Sequence, residues 1–137
     1  MIHRIFLAVV LATLMPLAAA ADVSDFVTPS GNIYCQVGGD FDQDGKAFGE
    51  IYCRIHDFEA NPAYPGCRQG LAFSMGDRGG VNASCDPGPR PGGQFVADYG
   101  QTGEFIGIAC TSERTGLTCR NSDGRGFSLS RRAPGAF

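Results

Sequence analysis

Gly31-Asn32-Ile33-Tyr34-Cys35 and Gly49-Glu50-Ile51-Tyr52-Cys53 are near copies of each other, and their shared pattern settles the class of structure. Each opens on a glycine, alternates polar with apolar side chains, and ends at a cysteine. Alternation at period two marks a half-buried strand, because successive side chains point to opposite faces. Gly116-Leu117-Thr118-Cys119 is a shorter version of the pattern, and Gly80-Val81-Asn82-Ala83-Ser84-Cys85 a looser one. The four cysteines stand 18, 32 and 34 residues apart. That irregular spacing reads as recurring hairpins and not as a solenoid of equal repeats.

The same alternation predicts strands over 33–37, 50–56, 71–75, 81–85, 94–99, 105–110, 117–121 and 127–131. The stretches 38–48, 61–66 and 86–93 are rich in Gly, Pro and Asp and read as loops. Gly and Pro together make up 28 of the 137 residues, and no segment holds a sustained 3.6-residue period. The expectation is an all-β fold, a small antiparallel barrel or sandwich of about eight short strands. Its core would be Phe26, Ile33, Val37, Ile51, Ile55, Leu71, Phe73, Val81, Phe95, Val96, Phe105, Ile108, Leu117, Phe127 and Leu129. Phe137 either docks back onto the sheet or frays.

The first residues stand apart from this pattern. Met1-Ile2-His3-Arg4 is a short basic start, residues 5–15 are apolar but for Thr13, and Ala18 to Ala21 follow. A charged start, an apolar stretch and an A-x-A site read as a cleaved signal peptide, residues 1–21. The apolar run is shorter than the ~20 residues that span a bilayer. Residues 22–137 would then form a single disulfide-rich β domain with no membrane span, periplasmic or secreted, and a monomer.

Six cysteines, Cys35, Cys53, Cys67, Cys85, Cys110 and Cys119, all follow the signal. An even count in an exported chain reads as three disulfides. A zinc site is disfavoured, because no C-x₂₋₄-C pair occurs. Cysteines adjacent in sequence bracket hairpin-like stretches, so the expected pairing is sequential. Loops this short give about 3 kcal/mol per bond in the chain-entropy model.

Charge is unevenly placed. Residues 22–66 carry 2 basic and 8 acidic side chains, whereas residues 67–137 carry 8 basic and 6 acidic. The acidic balance argues against a nucleic-acid binder held by phosphate contacts. The C-terminal arginines Arg114, Arg120, Arg125, Arg131 and Arg132 read either as a solvated face or as a surface for an anionic partner. Arg120, Arg125, Arg131 and Arg132 are the candidate binding residues.

Asp40-Phe41-Asp42-Gln43-Asp44-Gly45 has the D-x-D-x-D-G spacing of a calcium loop, with hard oxygen ligands and a glycine for the turn. Ile51 stands where the EF-hand glutamate would be, and Glu50 is one residue short, so a standard EF-hand is excluded. Two readings remain: calcium held by Asp40, Asp42, Asp44 and Glu50, or a solvated acidic hairpin tip. No other cofactor is expected.

Catalytic signals are poor. Ala72-Phe73-Ser74-Met75-Gly76 looks like a degraded nucleophile elbow, but the helix that should follow is missing. After signal cleavage His56 is the only histidine, and Asp57 beside it on a strand would face the other way. Gly76-Asp77-Arg78-Gly79-Gly80 also lacks the helix of a phosphate loop. The sequon Asn82-Ala83-Ser84 reads as chance. The chain is therefore expected not to be an enzyme.

Several stretches taken together resemble a known family. They are Thr28-Pro29-Ser30-Gly31-Asn32-Ile33-x-Cys35, then Cys53-Arg54-Ile55, then Cys110-Thr111-Ser112. The close is Gly116-Leu117-Thr118-Cys119-x-Asn121 with Gly126-Phe127-Ser128-Leu129-Ser130-Arg131. This order resembles an uncharacterised family of exported bacterial proteins, a domain of unknown function, over roughly residues 26–137. The resemblance implies an exported module with paired cysteines and no transferable activity. Two departures stand out: Phe58 lies near a position often held by Trp, and the Asp40–Asp44 loop is longer than usual.

The expected role is an exported, non-catalytic binding or structural module of the bacterial envelope, contacting an unknown protein or envelope component. The alternative is a small inhibitor of an envelope or secreted enzyme such as a lysozyme or protease, by fold-level analogy alone. A small hydrolase is the weakest reading.

Overall fold

The computed structural model describes residues 25–92 and 94–137, so the signal-peptide segment 1–21 lies outside the described residues. Six strands make the first sheet: β1 (Phe26–Val27), β2 (Ile33–Phe41), β3 (Ala47–Ile55), β4 (Leu71–Gly76), β5 (Asn82–Cys85) and β6 (Phe95–Val96). Their order is β5-β4-β3-β2-β1-β6. The second sheet holds β7 (Thr102–Phe105), β8 (Ile108–Glu113), β9 (Gly116–Asn121), β10 (Gly126–Leu129) and β11 (Gly135–Ala136), in the order β11-β10-β9-β8-β7. The fold is all-β, and among the described residues no helix is long and apolar enough to cross a membrane.

Period-two alternation decides which faces meet. Ile33, Cys35, Ile51, Cys53 and Ile55 turn inward from the first sheet, and Ile108, Cys110, Leu117 and Cys119 from the second. Phe73 of β4 meets Phe127 of β10 between the sheets, ring centroids 5.5 Å apart. The two layers are therefore a sandwich around one core.

The sulfurs pair in sequence order: Cys35–Cys53, Cys67–Cys85 and Cys110–Cys119. Two of these bonds join directly opposite residues, across β2–β3 and across β8–β9. They staple hairpins that the ladders already align.

Several expectations need correction. Eleven strands replace the expected eight among the described residues, because β1 and β11 are two-residue pairings too short to show a period and the expected strand 105–110 is divided between β7 and β8. The β1–β6 pairing is parallel, the one exception to an antiparallel arrangement among the described pairs. The stretch 38–48 is mostly ladder: β2 and β3 stay paired out to Phe41↔Ala47. Gly39 in this stretch, and Gly49 just after it, serve a close approach. A Cβ on Gly49 would stand 2.9 Å from the carbonyl oxygen of Ile106, and one on Gly39 would stand 2.9 Å from the Cδ1 of Ile106.

The expected strand 105–110 is broken by a two-residue turn at Ile106-Gly107, with φ of 31° and 76°. Positive φ at both central residues is what a type I′ hairpin needs. A β-branched residue rarely takes it, so the sequence carries no turn signal there. In the expected core, Phe95 and Val96 are 63% and 43% exposed, because β6 is a two-residue edge strand. Val37, Val81 and Phe105 are only half-buried. Phe137 docks, exchanging two backbone hydrogen bonds with Gly126.

Two buried asparagines close the ends of the sandwich. Asn32 donates from Nδ2 to the Asp57 carbonyl at 2.9 Å and accepts the Asp57 N–H on Oδ1 at 2.8 Å. Asn121 donates to the carbonyls of Gly76 and Gly79 at 3.2 and 2.8 Å. Its Oδ1 accepts the N–H groups of Asp123 and Arg125, each at 3.1 Å. Asn121 thus ties the β9–β10 turn of one sheet to the β4–β5 connection of the other.

Candidate functional site

The β8–β9 turn carries Arg114, and the segment after β10 carries Arg131 and Arg132. Hairpin geometry brings both to the end of the sandwich where the β1–β2 connection also turns, presenting Thr28, Ser30 and Asn32. Together they line a concavity of about 470 Å³. The Arg114 guanidinium lies 5.2 Å from the centroid of the Tyr99 ring, a cation–π contact that orders a long side chain. The ion pairs among the described residues are Arg54–Asp86, Arg78–Asp123 and Arg90–Asp57, and none involves these three arginines. Glu113 also lines the concavity, leaving positive charge in excess.

Hydroxyls add directed donors. Thr28 Oγ1 accepts the Ile33 N–H at 3.3 Å, Ser30 Oγ accepts the Asn32 N–H at 3.2 Å, and Ser130 Oγ accepts the Ala133 N–H at 3.0 Å. Each oxygen is thereby fixed by backbone while its own hydrogen stays available to donate. Three guanidinium groups and three hydroxyls suit a ligand rich in anionic oxygen acceptors.

The structure divides the arginines that the sequence grouped. Arg131 and Arg132 join Arg114 at this end. Arg120 and Arg125 sit at the other end of β9, a strand of six residues that spans roughly 20 Å. There the Arg120 guanidinium stacks 4.6 Å from the Phe137 ring centroid, and Arg125 Nε donates to the Phe137 carbonyl at 3.1 Å. These two hold the C-terminal segment in place. One binding surface made of all four candidates is not formed, because opposite ends of a strand cannot touch.

A second polar cluster carries no signal in the sequence. Arg54 projects from β3 onto the outer face of the first sheet, where residues 86–89 cover it. Its side chain is only 7% exposed. Nη1 donates to Asp86 Oδ1 at 3.2 Å, Nη2 donates to the Pro89 carbonyl, and His56 Nε2 lies 3.3 Å from Nη2. The Tyr52 hydroxyl donates to the other Asp86 oxygen. That bond and the Gly88 N–H hold the Asp86 carboxyl below its usual range. Burial, with the Asp86 charge beside it, pushes the Tyr52 phenol up to about 12. Burial and the Arg54 charge lower the His56 pKa.

The residues of the hydrolytic reading stand apart. Ser74 pairs with Tyr52 on the ladder, while His56 lies beyond the Ile55↔Leu71 pair. Four residues along a strand separate them by roughly 13 Å. The Asp57 carboxylate pairs with Arg90 and does not orient His56. Ser74, His56 and Asp57 are not brought together as nucleophile, base and orienting acid.

At the β2–β3 tip, Asp42 Oδ1 accepts the N–H groups of Asp44 and Lys46, each at 2.9 Å. Gly45 takes φ 76° as the left-handed residue of a short hairpin loop. Asp40 Oδ1 accepts the Phe41 N–H at 2.8 Å. Asp40 and Glu50 share the outer face of the ribbon, two register positions apart, whereas Asp42 and Asp44 belong to the turn. Among the described residues no group of three or more His, Cys, Asp or Glu side chains is placed to hold a metal ion. The Asn82 sequon lies on the exposed edge strand β5.

A family model described as "Family of unknown function (DUF6636)" matches residues 5–136. No curated protein and no solved structure matches the chain.

Proposed function

We propose, on the premise that the chain belongs to the DUF6636 family of unknown function, that it is an exported, non-catalytic binding module of the bacterial envelope. The observation that carries this reading is the meeting of Arg114, Arg131 and Arg132 in one concavity, outside every ion pair among the described residues. Three disulfides belong to an oxidising compartment outside the cytoplasm, which supports export to the periplasm or the medium. The ligand is an envelope component bearing carboxylate or phosphate groups.

Co-sedimentation with purified peptidoglycan sacculi tests this. The native protein is retained at low salt and released near 1 M salt, where the Debye length falls to ~3 Å. R131E/R132E is not retained at either. Absence of retention in the native protein, or retention indifferent to salt and to both substitutions, overturns the reading.

One observation favours the enzyme-inhibitor alternative. Phe41, 69% exposed, stands at the tip of the stapled β2–β3 hairpin between Asp40 and Asp42. A rigid acidic finger of this kind suits insertion into a basic enzyme cleft. Stoichiometric recovery of one enzyme from an envelope extract, lost with Phe41→Ala, would favour it.

A further inference from the structure

The edge of the sandwich where β1 and β6 face β7 and β8 is open. Between the sheets there lies a cleft of about 310 Å³, walled by Phe26, Ile51 and Phe95 on one side and Phe105, Ile108 and Leu117 on the other. Ile51, Ile108 and Leu117 are core residues at 3%, 2% and 1% exposure, so the cleft reaches the centre of the packing. An apolar cavity of about 150 Å³ is already large enough to stay dry and take a small hydrocarbon. This one is twice that size.

Water is a poor filling for it. A buried water needs two to four polar partners, and the polar side-chain oxygens of the lining are already engaged. Ser112 Oγ donates to the Ala97 carbonyl at 3.0 Å, the Thr102 and Thr111 hydroxyls pair at 2.9 Å, and Gln101 Oε1 accepts the Asp98 N–H at 2.9 Å. A protein partner is a poor filling as well. Among the described residues, Phe95 is the one exposed large apolar side chain that lines the cleft, too little for the ~800 Å² per partner of a stable interface.

The size and the surrounding charge select the occupant. At ~30 Å³ for a group the size of one water, a cleft of about 310 Å³ takes on the order of ten methylene-sized groups. The cleft abuts the arginine-lined concavity. Ser112 and Leu117 line the cleft, while their chain neighbours Glu113 and Gly116 line the concavity, as does Arg114.

We propose that the cleft binds one alkyl chain of about ten carbons from an anionic single-chain amphiphile, with its headgroup toward Arg114. The chain's place in the cleft stands on apolar packing alone. The headgroup's place rests on the reading of the arginine site given above.

The test uses the oxidised full-length mature protein with decanoate and with decanol, both below micelle formation. Thermal midpoint and displacement of a fluorescent alkyl probe are the readouts. Both ligands raise the midpoint by several degrees at a hundredfold excess over Kd. Val37→Phe and Ala97→Leu, two independent substitutions that add volume to the lining, lose that rise and the probe binding while remaining folded. Arg114→Ala weakens decanoate at least fivefold and leaves decanol unchanged. No shift with either ligand, a shift that survives both filling substitutions, or a dimer in solution that closes the cleft overturns the proposal. Equal binding of both ligands with no effect of Arg114→Ala overturns the headgroup assignment and counts against the arginine site, while the alkyl-chain assignment stands.

Discussion

Replacing Asn121 by Ala removes the side chain that ties the two sheets together at one end of the sandwich. Four hydrogen bonds go with it, two from Nδ2 to the carbonyls of Gly76 and Gly79 and two accepted on Oδ1 from Asp123 and Arg125. Asn121 is 6% exposed, so its partners regain water only in part. At about 1 kcal/mol net per bond, less what the turn recovers by hydration, the loss should be about 3 kcal/mol. For a domain of this size 1 kcal/mol moves the midpoint by about 4 °C, which makes the expected drop about 12 °C. Thermal and urea unfolding under non-reducing conditions measure it. Asn121→Asp supplies a control with a sign. It keeps the acceptor but sets a charge against two carbonyls, which raises the folded-state pKa of the new carboxyl. Its stability should therefore be highest below the unfolded pKa and fall as pH rises through the folded value. A loss under 1 kcal/mol for Asn121→Ala, or an Asn121→Asp variant indifferent to pH, would refute the clamp.

Two further outcomes are expected. The Asp86 carboxyl is depressed by the Tyr52 hydroxyl and the Gly88 N–H, and His56 is lowered by burial and by Arg54. Stability should hold above pH ~6.5 and decline in two stages on acidification, as His56 and then Asp86 take up protons through their lowered pKa values. His56→Gln should flatten the first stage and Asp86→Asn the second, and an unchanged profile in both would show that other groups govern acid unfolding. At the β2–β3 tip, Asp42→Ala should cost about 1 kcal/mol through the two lost turn bonds, with or without calcium. A midpoint that rises in millimolar calcium and stops rising in Asp42→Ala would instead establish calcium at Asp40, Asp42, Asp44 and Glu50.

How much was legible depended on whether the signal was local. Alternation in 33–37, 50–56 and 117–121 marked real strands, because a half-buried strand writes its two faces into adjacent residues. Alternation in 105–110 misled, since Ile106 takes a positive φ that nothing in its side chain announces. Gly38, Gly39 and Gly49 misled in the opposite direction. They look like loop residues, yet they lie in a ladder, and at Gly39 and Gly49 a hairpin from the other sheet comes too close for a Cβ. The asparagines of the two terminal motifs, Asn32 and Asn121, turn out to be structural clamps. Their role was invisible because their partners stand 25 and 42 to 45 residues away.

The sequence by itself determined the all-β class, the β2–β3 and β8–β9 hairpins and the sequential cysteine pairing. Each of these follows from residues close together along the chain, where side-chain alternation and short loop closure act. Only the tertiary structure decided which charges meet and where the core stays open. It divided the arginines between the two ends of β9, gathered Arg114 with Arg131 and Arg132, and buried Arg54 under Asp86. It also left the β1–β6 and β7–β8 edges apart. Those outcomes depend on how two twisted sheets are stacked, and stacking brings together residues whose separation in sequence carries no periodic trace.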